Sequence, residues 1–159
     1  MTMRHFTNPS DNKVYGYDSA VASQLPYIER AIAAKWPEIT GSWPPAPTAA
    51  EVAQATYNAA IAAGVQITST GTPALNGTYS ITPSTIADIQ AQQVSILTRD
   101  LFTNGSTTRV WADILGGVHV FPSTAQFTAF AEAIGAYVDA LFLAQHGQGS
   151  WPSNAITIY

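Results

Sequence analysis

The sequence contains no cysteine, few charged residues and three histidines. Without cysteine, neither a disulfide framework nor a thiolate metal site can form. His5, His119 and His146 are far apart in the sequence, and none belongs to the H-E-x-x-H or H-x-x-x-H spacing of a zinc site. We therefore expect neither a metal nor any other cofactor.

Motifs for catalysis are also missing from the sequence. There is no G-x-S-x-G elbow and no phosphate-binding glycine loop. Asp113, Glu132 and Asp139 are explained as a turn residue and two exposed helix residues, and no cleft is indicated that would hold two carboxylates about 5 to 10 Å apart for glycan hydrolysis. His119 alternates with valines in a predicted strand, so we expect it to face solvent or a polar neighbour. The sequence predicts a protein that is not an enzyme.

Charge is low as well. Charged residues make up 10% of the chain, against about 25% in ordinary globular proteins. The formal net charge is -4, and the Lys and Arg residues are scattered, so no basic stripe is available for nucleic acid. Weak repulsion between copies favours a role in an assembly, including a homo-oligomer, although a soluble monomer can have the same composition.

No uninterrupted apolar run approaches the roughly 18 residues of a membrane span. The chain begins MTMRHFTNPSDNK, which reaches polar residues too early for a signal peptide. We expect a protein that is soluble in the cell that makes it and has no membrane partner.

The prolines mark a domain boundary. Residues 1–41 predict a small module with a hairpin in 4–17 and a helix in 19–35. Residues 42–47 (SWPPAP) form a linker that is stiffened toward polyproline II. A larger domain follows over 48–149, and residues 150–159 form an extended strand.

The larger domain alternates helical and strand patterns. Thr48 and Glu51 predict a capping box, and Ser123 and Gln126 predict a second one. The Asn76-Gly77 pair predicts a tight turn inside a hairpin-like ribbon. Strands at 107–112 and 118–121 predict another ribbon, and the aromatic residues Tyr57, Phe127, Phe130 and Tyr137 are assigned to the core rather than to a sugar platform. The fold class is α+β, with short antiparallel ribbons packed by about three helices.

Two blocks of this domain, TPALNGTYSI and FPSTAQFTAFAEAIGAYV, are distinctive. They resemble a small domain of unknown function that recurs in tail modules of tailed bacteriophages and prophages. The first module, HFTNPSDNKVYGYDS followed by PYIERAIAAKW and GSWPPAPT, is similar to the opening module of phage tail-fibre-assembly proteins.

The resemblance implies a protein that binds a phage tail fibre or baseplate protein. One reading is a tail-fibre-associated factor that assists fibre assembly or attachment and then remains in the virion or leaves it. Another is a purely structural subunit of the baseplate or fibre network, and a glycan-processing enzyme is the least favoured. The implied location is the host bacterial cytoplasm during assembly, or the virion tail.

The candidate residues for partner binding lie near the two module ends. The tetrapeptide GSWP occurs at 41–44 and at 149–152, and each tryptophan either packs as a lid on its own module or anchors in a partner pocket. The tail AITIY alternates β-branched and aromatic residues, so it either pairs with the protein's own sheet or adds to the sheet of a neighbouring subunit. The candidates are Trp43, Trp151, Ile156, Ile158 and Tyr159.

Overall fold

The computed structural model describes residues 3–41 and 43–159. The chain divides into two units, Met1–Pro47 and Thr48–Tyr159. Ser42, the first residue of the predicted linker, lies outside the described residues. Both units combine helices with small sheets, which confirms the predicted α+β class.

The first unit is a three-stranded antiparallel sheet with a helix packed on one face. Its elements are β1 (Met3–Asn8), β2 (Lys13–Asp18), α1 (Leu25–Ala33) and β3 (Glu38–Ile39), and the strand order is β2-β1-β3. The helix is shorter than predicted, because Pro26 occupies its first turn and a 3-10 turn, Ala22–Gln24, precedes it. A small core of Phe6, Ile28 and Ala31 joins the helix to the sheet.

The second unit contains three longer helices and two small sheets within the residues described. Its elements are α2 (Ala49–Ala63), β4 (Val65–Ser69), a 3-10 turn (Pro73–Leu75), β5 (Gly77–Tyr79), α3 (Pro83–Arg99), β6 (Arg109–Ala112), β7 (Val118–Phe121), α4 (Thr124–Gln145) and β8 (Ala155–Ile158). One sheet has the order β5-β4-β8, and the other is the two-stranded ribbon of β6 and β7.

The predicted helix caps are formed in one case and half formed in the other. At the start of α2, Thr48 Oγ1 accepts from the Glu51 amide at 3.2 Å, and the Thr48 amide donates to the Glu51 carboxylate at 2.7 Å. At the start of α4, Ser123 Oγ accepts from the Gln126 amide at 3.3 Å. The Gln126 side chain accepts from Ser123 Oγ at 3.5 Å, not from the Ser123 amide, and its own amide group donates to Thr72 Oγ1, so the capping box is incomplete.

The C-terminal strand belongs to the fold of the second unit. β8 runs parallel to β4, with Ile67 opposite Ile156 and Ser69 opposite Ile158. The antiparallel ribbon of β4 and β5 therefore becomes a mixed sheet. Pairing of the tail with the protein's own sheet was one of its two predicted alternatives, but its parallel pairing with β4 was not predicted. The strand lies at the edge of that sheet.

The predicted tight turn at Asn76-Gly77 is wrong. Asn76 follows the 3-10 turn, and its side-chain oxygen accepts from the Ser69 amide at 2.7 Å. Gly77 is the first residue of β5. The side-chain bond of Asn76, rather than a two-residue hairpin, therefore joins the two strands at this end.

Helix α4 runs through the centre of the second unit. Its buried residues include Phe127, Phe130, Ile134 and Leu141, which meet buried residues of both sheets. Within the described residues, α4 also has the length and mean hydropathy of a membrane span. Polar residues interrupt its apolar sequence. The same apolar residues that give it this hydropathy form the core.

Proteolysis is expected to separate the two units. Residues 43–49 are all exposed, and exposed, irregular backbone between units is a preferred site of cleavage. We expect brief digestion with a broad-specificity protease to cut within 42–48 and to leave a fragment from about residue 49 that retains its far-UV circular dichroism. Mass spectrometry of the fragments is the measurement, and earlier cleavage inside residues 66–121 would contradict the two-unit organisation.

Candidate protein-binding site

The ribbon of β6 and β7 has two different faces. The strands pair antiparallel, with Val110 opposite Val120 and Trp111 opposite His119. Because successive side chains of a strand point to opposite faces, Trp111 and His119 share the inner face and the two valines share the outer face. Exposure follows the same alternation.

Aromatic packing fixes the inner face to the core. The Trp111 ring lies 5.4 Å from the Phe127 ring, between centroids. Phe121, which is fully buried, lies 5.1 Å from Phe127 and 4.9 Å from Phe130. Such aromatic pairs contribute about 0.5 to 1.5 kcal/mol each beyond their buried area. The ribbon is therefore a fixed part of the second unit.

The outer face is apolar, uncharged and exposed. Val110, Val118 and Val120 are 59%, 67% and 50% exposed, and Leu115 at the tip is 84% exposed. Ala112, opposite Val118, is the remaining outer residue of the strands. Contiguous exposed apolar patches on soluble domains often mark interaction sites. We define the outer face as Val110, Ala112, Val118, Val120 and Leu115.

Asp113 shapes the loop that joins the two strands. Its carboxylate accepts from the amides of Leu115 at 2.9 Å and Gly117 at 2.7 Å. A side chain at position 117 would come within 2.7 Å of that carboxylate and would have to displace it. The Ile114 amide donates to the Thr78 carbonyl at 2.8 Å and attaches the tip to β5. These bonds confirm the prediction of Asp113 as a turn residue.

His119 connects the ribbon to the 3-10 turn. Its Nδ1 lies 2.7 Å from the Ala74 carbonyl oxygen, and its Nε2 lies 3.1 Å from Asp113 Oδ2. The side chains of His119 and Asp113 are only 11% and 9% exposed, and the imidazole packs 5.3 Å from the Tyr79 ring. A side chain at Gly77 would meet Nε2 at 2.9 Å. His119 has the expected polar neighbour, but it does not face open solvent.

The pKa of His119 is raised and the pKa of Asp113 is lowered, so both shifts favour the charged form of the side chain. The hydrogen bond from His119, assisted by the Gly117 and Leu115 amides, lowers the pKa of Asp113. Burial acts to lower the pKa of His119, but the Ala74 carbonyl and Asp113 outweigh it and raise that pKa. Since both ring nitrogens face acceptors, only the imidazolium can donate both bonds. Neither nitrogen is free to act as a general base in this geometry.

The two candidate tryptophans occupy different surroundings. Trp43, in the first unit, is 43% exposed, and its ring lies 6.3 Å from that of His5. Trp151, in the second unit, is 39% exposed and lines a groove with Ala60 and Tyr137. The position of Trp151 fits the lid that was one of its two predicted roles.

The three candidates in the tail are split between the core and the surface. Ile158 is 5% exposed and belongs to the core, and Ile156 is partly buried against it. Tyr159 is 89% exposed. Ile156 and Ile158 are therefore positioned for the fold of their own unit, and Tyr159 alone of the three presents a largely free side chain.

An apolar groove lies between the helices of the second unit. It encloses about 500 Å³ and is lined by Tyr57 and Ile61 of α2, Ile86 of α3, and Val138 of α4. Tyr57 is partly buried, whereas Phe127, Phe130 and Tyr137 are buried. The prediction that these aromatic residues form the core is confirmed for the last three, and Tyr57 packs at its edge.

Comparison with known families identifies most of the second unit. Residues 45–146 match the model of a domain of unknown function, DUF4376. The chain belongs to the DUF4376 family. No curated protein and no solved structure matches it. The DUF4376 match contains the ribbon, and it ends before β8, which completes the larger sheet.

The outer face of the ribbon in the DUF4376 domain is a candidate surface that was not among the residues predicted from the sequence. Its strands were predicted, but no function was given to their outer residues. The pattern that separates the two faces is visible in the sequence: Val110 and Ala112 alternate with Trp111, and Val118 and Val120 alternate with His119. What the sequence could not show is which of the two alternating sets faces the core.

Proposed function

We propose that the protein is a non-enzymatic, phage tail-fibre-associated protein that binds the fibre and assists its assembly or attachment. The phage context comes from the resemblance of the TPALNGTYSI and FPSTAQFTAFAEAIGAYV blocks and of the first module. It acts in the host bacterial cytoplasm during assembly and can remain in the virion tail. The DUF4376 family is of unknown function, so membership in it names neither a partner nor a role.

The observation that carries the binding role is the outer face of the ribbon. Full burial of a valine or leucine side chain contributes about 1.5 to 3 kcal/mol, so covering the exposed parts of Val110, Val118, Val120 and Leu115 contributes roughly 4 to 8 kcal/mol. Association itself costs about 4 to 15 kcal/mol. The outer face therefore supports binding only if the partner makes further contacts beside it.

A purely structural subunit of the baseplate or fibre network is the second candidate. The low charge of the chain favours it, since neighbouring copies in an assembly would repel each other weakly. Protein stoichiometry in purified virions separates the two candidates. A transient assembly factor is absent from the virion, whereas a structural subunit is present in a fixed ratio to the other tail proteins.

The binding role is tested by placing a charge on the outer face. Val118→Asp puts a carboxylate in the centre of the apolar surface, and burying it unpaired against a partner is costly. We expect binding to purified tail fibres of the encoding phage or prophage to fall by at least about tenfold, which corresponds to roughly 1.4 kcal/mol. The melting temperature should change little, since position 118 is 67% exposed.

Leu97→Asp is the matched control, because Leu97 is an exposed apolar residue of α3 outside the ribbon. It should retain fibre binding. Full binding by a folded Val118→Asp variant, or an equal loss in both variants, would show that the outer face is not the fibre-binding surface.

A further inference from the structure

The strand β6 has a free edge. It pairs with β7 on one side, and in the part of the chain that the structure describes no other main-chain group bonds to its backbone. In an antiparallel pair, alternate residues direct their amide and carbonyl groups away from the partner strand. β7 differs, because the 3-10 turn Pro73–Leu75 packs against it and receives the bond from His119.

Three of the usual devices against edge pairing, proline, lysine and a bulge, are absent from β6, although the strand has only four residues and carries the inward-pointing Arg109. The strand Arg109–Ala112 contains no proline and no lysine, and its pairing with β7 has no bulge. Its outer side chains, Val110 and Ala112, are apolar and exposed. An edge of this kind accepts another strand by main-chain hydrogen bonds, while alternate side chains supply specificity.

Arg109, at the start of β6, provides the charge at this edge. It lies on the inner face with Trp111, and its Nε is buried without a hydrogen-bond partner. The nearest polar contact is long, from Nη1 to Thr103 Oγ1 at 3.5 Å. Across residues 3–41 and 43–159, no carboxylate lies within ion-pair distance of this guanidinium. Arg109 Nε therefore has no acceptor among the described residues, and a carboxylate of a bound partner can supply one.

We propose that β6 binds an extended strand of a partner protein, and that this strand carries a carboxylate beside Arg109. This proposal rests on the binding role proposed for the ribbon. The side chains of that strand alternate. Those on its outer side are uncharged and β-branched and continue the apolar surface of Val110 and Ala112. One on its inner side is an aspartate or glutamate, which forms the cross-strand ion pair with Arg109.

A partner strand bound to β6 supplies the further contacts beside the outer face that binding requires. Its main chain satisfies the outward amide and carbonyl groups of β6, and its carboxylate satisfies the guanidinium. Its apolar side chains widen the surface that the partner covers. An uncharged strand would leave Arg109 unpaired, and a strand with a lysine at that place would repel it.

The partner chemistry is tested with two short peptides and the full chain. Each peptide has six residues that alternate valine and threonine, with both ends blocked so that no terminal charge remains. One central threonine is replaced by glutamate in the first peptide and by lysine in the second. Binding is measured by nuclear magnetic resonance titration of the ¹⁵N-labelled protein, with the amides of β6 and the Arg109 Nε–H as reporters.

We expect the glutamate peptide to bind about tenfold more tightly than the lysine peptide at low salt, and to shift the β6 amides more than those of β8. Arg109→Gln should remove the preference, and Arg109→Glu should reverse it in favour of the lysine peptide. Arg30→Glu in the first unit controls for the change in net charge and should leave the preference unchanged. If Arg109→Glu does not fold, the Arg109→Gln variant still decides the outcome.

Equal binding of both peptides, no shift of the β6 amides at millimolar peptide, or an unchanged preference in Arg109→Gln would overturn the strand proposal. Failure of the strand proposal can be distinguished from failure of the fibre-binding proposal. A ribbon that binds fibres through Val118 but shows no charge preference for peptides retains the proposed function and loses only the acidic strand. Conversely, fibre binding that survives in a folded Val118→Asp variant rejects the outer face as the fibre-binding surface, whatever the peptides show.

Discussion

Replacing Phe130 with alanine is expected to lower the free energy of unfolding of the second unit by about 3 to 5 kcal/mol. Phe130 is fully buried at the centre of the core. Its ring lies 4.8 Å from that of Tyr79 in β5, 4.9 Å from that of Phe121 in β7 and 5.6 Å from that of Phe127. The residue thus joins α4 to both sheets. Truncation leaves a cavity that three rigid rings cannot fill.

Chemical denaturation followed by circular dichroism measures this loss. Glu132→Ala is the control, since Glu132 is exposed two residues away on α4, and it should change stability by no more than about 0.5 kcal/mol. A cost below about 1 kcal/mol for Phe130→Ala would mean that the aromatic cluster does not hold the two sheets together.

Replacing His119 with alanine is expected to destabilise the second unit by about 1 to 3 kcal/mol, the range for a charge-assisted hydrogen bond and an unsatisfied partner. The alternation in the sequence left His119 facing either solvent or a polar neighbour, and a solvent-facing histidine would contribute little to stability. The structure instead places its ring under the loop of the ribbon, bonded to the Ala74 carbonyl and to Asp113. The variant removes the link between the ribbon and the 3-10 turn.

The same pair predicts how stability depends on pH. The pKa of His119 is raised above 6.5 in the folded protein, so its contribution is complete below about pH 6.5 and is lost as pH rises through the raised value. The pKa of Asp113 is lowered below 3.8, so its contribution is present above about pH 3.8 and is lost as pH falls through the lowered value. The pair stabilises most between these limits.

Thermal unfolding of the wild type and of His119→Ala across pH 3 to 9 tests this dependence. The difference in melting temperature between the two proteins should be largest between about pH 4 and 6.5 and should shrink at higher pH. His146→Ala is the control, because His146 is exposed at the end of α4. A difference that grows above pH 7, or one that His146→Ala reproduces, would contradict the charged His119 pair.

Local signals in the sequence predicted most of the helices and strands. The capping residues Thr48 and Ser123 begin α2 and α4 where expected, and the alternation of apolar residues located β4, β6 and β7. Glu132 and Asp139 are exposed on α4, as predicted. These features depend on neighbours within a few residues, which is why the sequence contains them.

Long-range contacts account for the differences between the predicted and the observed structure. Gln126 does not complete the predicted capping box: its side chain meets the Ser123 hydroxyl and donates to Thr72, which is distant in sequence. Gly77 is a strand residue that pairs with Ile67 rather than a turn residue, and the imidazole of His119 occupies the space where a side chain at position 77 would lie. Neither partner can be identified from local periodicity.

By itself, the sequence determined the α+β class, the proline-marked division of the chain, and the alternation that gives the ribbon two unlike faces. Tertiary structure decided which face is which, because only the packing of Trp111 and Phe121 against Phe127 buries one set of side chains and leaves the valines exposed. It also decided that β8 pairs with β4 and that Arg109 has no carboxylate partner among the described residues. Strand pairing and ion pairing join residues that are far apart in the chain, and their geometry exists only after the core has formed.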